Sequence, residues 1–290
     1  MSKTQSTPND GVSFTVTVDD SDAVVEIDDW EPSHLPLSPS KINTFIQCPR
    51  SFYYRYIEKL PEKLTIHLFR GTIVHNILED LFTKRFKYAS RWSRGQAQDY
   101  DEKQFKNETH DMLINFCQKI EKKLREMVEW KVYRSKDMAF KALRPRFSEL
   151  RLKSEELKIR GIVDVAVKDF EDNVSIIDYK TSKRYGPWLP EDYYRQLIIY
   201  ALLYYEHTGV VPKFAGIDWL RYDETQMVHI TSAELEEART LIKDIHTKIT
   251  DYEDNIENYE KIPQNLCKWC AFYKNPCQPK GWSVAHKKKK

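Results

Sequence analysis

Glycine is scarce in this chain of 290 residues, with 8 in all, and no phosphate-cradling G-x-x-x-x-G-K-[ST] pattern occurs among them. No run of 18 or more apolar residues exists, so no transmembrane helix is expected. The N-terminus lacks a basic stretch followed by an apolar one, which argues against a signal peptide and makes a cytoplasmic protein the default expectation. Five cysteines is an odd number and a poor basis for a disulfide framework. Their spacing is more informative than their count: Cys48 and Cys117 stand apart, while Cys267, Cys270 and Cys277 cluster.

What is present is an ordinary globular composition, 41% hydrophobic and 31% charged, with 17 Tyr and 7 Trp. The net charge of +2 conceals an asymmetry. Residues 1–35 hold eight acids against Lys3 alone, so residues 36–290 carry about +9, and Lys287 to Lys290 form a basic tail. A basic body points mildly toward a polyanionic partner.

Residues 1–36 read as an acidic, flexible arm, within which Val12 to Val18 alternates like a short edge strand. Ser38-Pro39 is a helix start, with Ile42, Phe45 and Ile46 on one face and Pro49 ending it after Cys48. The aromatic and basic run Arg50-Ser51-Phe52-Tyr53-Tyr54-Arg55-Tyr56 suits either base stacking or core packing, and packing is favoured. Residues 71–82 form an amphipathic helix carrying His75, and 101–130 a long charged one. Three strand-like runs then follow, 147–152, 157–167 and 174–179, as an antiparallel meander. A helix bearing Gln196 and Tyr200, a strand over 214–220 and a helix from Ser232 to Asn258 complete the body.

Candidate chemistry gathers on the meander. Asp178 and Lys180 alternate with Tyr179, so in an extended strand they project from one face. A neighbouring strand ending in Gly161-Ile162-Val163-Asp164 can bring a second carboxylate beside them. Two carboxylates hold divalent cations, and a lysine can orient water or neutralise charge developing on phosphorus. An added imidazole tilts the preference from Mg²⁺ toward Mn²⁺.

The ordered set resembles the PD-(D/E)XK nuclease superfamily, specifically its RecB-like exonuclease branch. It comprises His75 in Gly71-Thr72-Ile73-Val74-His75, Asp164 after Gly161, Asp178-Tyr179-Lys180, and Gln196 with Tyr200. Val163 stands where the eponymous proline would precede the acid, a departure common in that branch. The resemblance implies a restriction-endonuclease-like α/β (α+β) fold, with a central mixed sheet flanked by helices. It also implies that His75, Asp164, Asp178 and the Tyr179 carbonyl bind Mg²⁺ or Mn²⁺, and that Lys180 is catalytic. Gln196 and Tyr200 would line the site, and Glu149 is a weaker carry-over as a further metal ligand.

One cysteine before this core and three after it resemble the iron–sulfur staple of AddB-type and CRISPR-associated RecB-like exonucleases. On that likeness Cys48, Cys267, Cys270 and Cys277 bind a [4Fe–4S] cluster, with structural Zn²⁺ as the alternative. Cys117 is read as a buried or bystander thiol. The domains expected are the arm (1–36), a nuclease domain (37–262), a Cys-rich segment (263–280) and a basic tail (281–290). The activity expected is metal-dependent hydrolysis of DNA phosphodiester bonds by an exonuclease acting at single-stranded ends, in recombination, repair, replication or spacer processing. Arg50, Tyr53, Tyr54 and Arg55 are candidate DNA contacts. A separate helicase, or recombination or CRISPR-adaptation proteins, are candidate partners, in a nucleoid or phage-infected cell. The competing reading is a non-catalytic nucleic-acid-binding or assembly subunit that keeps the fold.

Overall fold

The computed structural model describes residues 36–62, 66–83, 102–143, 145, 147–169, 171–184, 186–222 and 224–277. The acidic arm, its proposed edge strand and the lysine tail lie outside them. Among the described residues, no helix is long and apolar enough to cross a membrane.

Five strands form one sheet in the order β1 (Phe147–Ser154), β2 (Ile159–Lys168), β3 (Val174–Lys180), β4 (Phe214–Trp219), β5 (Glu224–His229). All neighbours are antiparallel except β3 and β4, which run parallel. The connection between those two must cross over, and α6 (Glu191–Thr208) is that crossover. Its residues Leu197 to Tyr204 are buried without interruption. Such a helix is apolar all round because it is enclosed: α6 packs on the sheet from β1 to β4, with α1 (Pro39–Gln47) and α7 (Ser232–Tyr252) outside it. Gly161 permits the close approach, since a Cβ there would lie 2.9 Å from the Leu203 side chain and 3.0 Å from that of Tyr200.

The opposite face carries a second core. Val74 of α3 (Ile66–Thr83) and Met112 and Phe116 of α4 (Glu102–Glu129) pack there with Val165, Tyr179 and Leu220. Strand alternation in β3 therefore sends Val174 and Ile176 to one core and Ile177 and Tyr179 to the other. By the same alternation Asp178 and Lys180 belong to the α6 side.

The helix start at Ser38 forms as expected, its hydroxyl accepting from the Lys41 N–H at 3.3 Å with Pro39 in the first turn. Thr231 caps α7 in a reciprocal capping box with Glu234. The long C-terminal helix expected to reach Asn258 stops at Tyr252, where Glu253 takes φ 48°, and a separate 3₁₀ turn covers Ile256–Asn258. Strand β5 was not foreseen. Its alternation is weak because it lies at the sheet edge, with intermediate and exposed residues and no buried face.

Aromatic packing joins the two ends of this body. Phe45 and Phe52 meet edge to face at 5.3 Å, and the buried Tyr259 ring stacks parallel to Phe52 at 6.4 Å. Arg50 is 7% exposed, its Nε donating to the Tyr259 carbonyl at 2.7 Å and its backbone N–H to that of Glu260 at 3.0 Å. Tyr54 is 4% exposed and packs on Phe272 at 5.4 Å. Tyr53 packs on Tyr259, and both oxygens of Glu62 accept from Arg55. Of the segment considered as a DNA contact, Arg50 and Tyr54 are buried in this packing while Tyr53 and Arg55 stay partly exposed, and the segment ties residues 45–56 to residues 259–272.

Candidate functional site

The acids meet where β2 separates from β3. The ladder runs from Lys168↔Val174 to Val165↔Ile177 and stops. At the next position Asp164 substitutes its side chain for the ladder, Oδ2 accepting the Tyr179 N–H at 2.7 Å. Alternation breaks at this residue, since Val163 belongs to the α6-side core and Val165 to the other. Opposite it on β1, between the pairs Ser148↔Val165 and Leu150↔Val163, Glu149 adopts φ 52°. A left-handed glutamate within a strand is a local strain, of the kind that collects at functional sites.

This deformation brings Glu149 and Asp164 to the point that His75 reaches from α3. Ligand atoms of His75, Glu149 and Asp164 lie within 4.8 Å of one another, the one such group of three or more metal-binding side chains among the described residues. His75 Nδ1 is 3.2 Å from Asp164 Oδ1. Burial disfavours the imidazolium, but the hydrogen bond and charge of Asp164, with Asp178 and Glu149, outweigh it and raise the His75 pKa.

Asp178 stands beside this trio, 3% exposed. Gln196 Nε2 donates to its Oδ1 at 3.0 Å and to Tyr200 Oη at 3.0 Å, while Gln196 Oε1 accepts from Lys180 Nζ at 3.1 Å. One amide therefore orients the acid, the lysine and the phenol together. Lys180 Nζ lies 2.6 Å from Asp178 Oδ2, a buried oxygen that has no hydrogen bond of good angle, so the contact is an ion pair by charge. Burial pushes the Asp178 carboxyl up, against Lys180 and with Asp164 adding to it. Burial likewise opposes charge on Lys180, but Asp178 prevails and raises its pKa, so the amine is an ammonium. It also lies over the Tyr193 ring at 5.0 Å.

The donor set fits a hard divalent cation. Carboxylates and one imidazole converge, and the buried Asp178 carboxylate, paired with Lys180, lies close enough to act on both His75 and Asp164. The sequence profile of the PD-(D/E)XK nuclease superfamily matches residues 36–278. The chain belongs to that superfamily. Its five-stranded mixed sheet flanked by helices is the α+β, restriction-endonuclease-like fold of the group. A search of curated sequences returns no match. Among solved structures the chain is similar to a candidate exonuclease from Eubacterium rectale, at 16% identity and a TM-score of 0.46, covering 85% of this chain and 90% of that one.

All four cysteines of the proposed staple line one cavity of about 230 Å³, together with Ser51, Tyr54 and Leu266. Gln264 Nε2 closes its rim by donating to the Gln47 carbonyl at 2.8 Å. Burial pushes the Cys277 thiol up, and proximity to Cys48, Cys270 and Cys267 adds to it against the pull of Lys261. Cys117 is not buried as one reading had it; it is exposed on α4.

Sequence reasoning passed over three charged residues that meet one another on the elements flanking the site: Arg70, Glu108 and Arg221. No spacing rule joins them, because they come from α3, α4 and the turn after β4.

Proposed function

We propose that this nuclease-superfamily protein is a metal-dependent DNA exonuclease acting at single-stranded ends. The observation that carries the reading is the convergence of His75, Glu149 and Asp164 beside the Asp178–Lys180–Gln196–Tyr200 network. His75, Glu149, Asp164, Asp178 and the Tyr179 carbonyl would hold Mg²⁺ or Mn²⁺, which supplies water activation and leaving-oxygen stabilisation when bound.

The protein groups do the rest. Lys180 is held as an ammonium, so it donates hydrogen bonds and offsets charge developing on the phosphoryl oxygens instead of abstracting a proton. Gln196 fixes the position of that ammonium and of the Asp178 carboxylate. Tyr200, its pKa raised by burial and then by Asp178, stays a neutral phenol that can donate to substrate. The test is a nuclease assay with Mn²⁺ on end-labelled single and double strands, comparing Asp178→Asn with wild type. Loss from labelled ends by wild type alone supports the reading; equal inertness of both abandons it.

We further infer that the four thiols hold a [4Fe–4S] cluster that staples the domain. The reading is supported by all four thiols lining one cavity of about 230 Å³, and structural Zn²⁺ on the same four thiolates is the alternative that the test separates. Iron analysis and a broad absorption near ~400 nm test this; stoichiometric zinc in colourless, anaerobically purified protein refutes it.

A further inference from the structure

Arg70 and Arg221 converge on a single carboxylate oxygen. Arg70 Nη2 lies 2.8 Å and Arg221 Nη2 2.9 Å from Glu108 Oε2, while Gln104 Nε2 donates to the other oxygen at 2.9 Å. Two guanidiniums thus share one counter-charge, and Arg70 Nε, fully buried, has no hydrogen-bond partner. Burial, with the Arg221 charge adding to it against Glu108, lowers the Arg70 pKa. A second anionic oxygen would relieve that imbalance. Two guanidiniums forking toward one point are the geometry that phosphate oxygens fill.

The pair sits against the catalytic elements. Arg70 precedes His75 by five residues on α3, about 7 Å along the helix axis. Arg221 Nε donates to the carbonyl of Thr181, the residue after Lys180, at 2.8 Å. Glu108 has a side chain 24% exposed on α4, so it can turn outward, whereas Arg70 is held at 6% exposure and over the Phe105 ring at 5.3 Å.

We propose that Arg70 and Arg221 clamp a phosphate of the bound strand, and that Glu108 occupies the phosphate's place in the free protein. The proposal rests on the nucleic-acid reading of the neighbouring site. It assigns a contact that carries no base information and that exchanges one carboxylate for one phosphate. The phosphate is either a backbone diester or the terminal monoester, and the probes separate the two.

The experiment is fluorescence anisotropy with short labelled oligodeoxythymidylates, bearing a 5′-hydroxyl or a 5′-phosphate, in EDTA across a salt series. Glu108→Gln, which keeps the shape and removes the competing charge, is expected to tighten binding about threefold or more. Arg221→Gln is expected to weaken it about tenfold and to reduce the slope of log K against log salt by about one. Effects equal on both probes support a backbone phosphate; effects confined to the 5′-phosphate probe support the terminal one. Unchanged or weakened binding by Glu108→Gln, or an Arg221→Gln slope equal to wild type, overturns the clamp and leaves a structural triad. Because EDTA prevents metal-dependent cleavage, the outcome is independent of activity. A protein inert with Mn²⁺ yet showing these shifts keeps the clamp and loses the nuclease reading.

Discussion

The acid site and the cysteine cavity are built by opposite means. The acids sit on β1, β2 and β3, neighbouring strands joined by short turns, with His75 added from α3 and Gln196 and Tyr200 from α6. The cysteine cavity needs Cys48 to meet Cys267, Cys270 and Cys277 across the whole body, by way of Tyr259, Arg50 and Gln264. The first therefore stores local strain, at Glu149 and in a buried ion pair, on a scaffold that would stand without it. The second lends closure to the scaffold itself. Loss of the first should remove chemistry and keep the fold; loss of the second should loosen the fold first.

Asp178→Asn tests that division most strongly. It is expected to lower the cleavage rate by at least about 10²-fold, the scale of a lost electrostatic contact to a transition state, with cysteine-bound metal unchanged by elemental analysis. Lys180→Ala should match that loss.

Cys48→Ser is the reciprocal experiment. Losing a structural metal group should cost at least about 3 kcal/mol, or roughly 6–12 °C in melting temperature for a chain of this size. Mn²⁺ binding at the acid site, read by calorimetry, should survive. A melting temperature unmoved by the change would end the idea of a staple. Arg50→Ala weakens the same seam without touching a thiol and should cost about 1.5–3 kcal/mol, the loss of a buried charged hydrogen bond. Its DNA affinity should equal wild type if the segment packs and does not stack.

The acid site also predicts a pH dependence. The folded pKa of His75 is raised, so its protonated pairing with Asp164 stabilises the metal-free protein fully below the unfolded value of about 6.5. That contribution disappears as pH rises through the higher folded value. Unfolding in EDTA should show wild type losing stability over this interval and His75→Asn losing less. Mn²⁺ affinity should rise over the same interval, because cation and proton compete for the imidazole. The smallest effect expected is at Glu149. Glycine removes the cost of a left-handed β-carbon, so Glu149→Gly should stabilise the metal-free fold by about 1 kcal/mol while activity falls.

Much of this site was readable in one dimension because strand and helix periods are short. Asp178 and Lys180 share a face by alternation, and Gln196 and Tyr200 by one helical turn, so their order along the chain already placed them as pairs. The same reasoning could not rank Glu149 above other strand acids, since its inward aim depends on a break in alternation that no local pattern announces. It could not separate stacking from packing at Arg50 and Tyr54 either. Both uses need aromatic and basic residues, and the outcome turned on Tyr259 and Phe272, more than 200 positions away.

By itself, then, the sequence determined the family, the antiparallel meander of β1 to β3, and the identity of the paired catalytic candidates, because those follow from periodicity and nearest-neighbour geometry. Only the tertiary structure decided the rest. It chose which acids meet His75, sealed the ends through Tyr259, and brought Arg70, Glu108 and Arg221 onto one carboxylate oxygen. These are contacts between elements far apart in the chain, and they are selected by packing, which no repeat of two or 3.6 residues encodes.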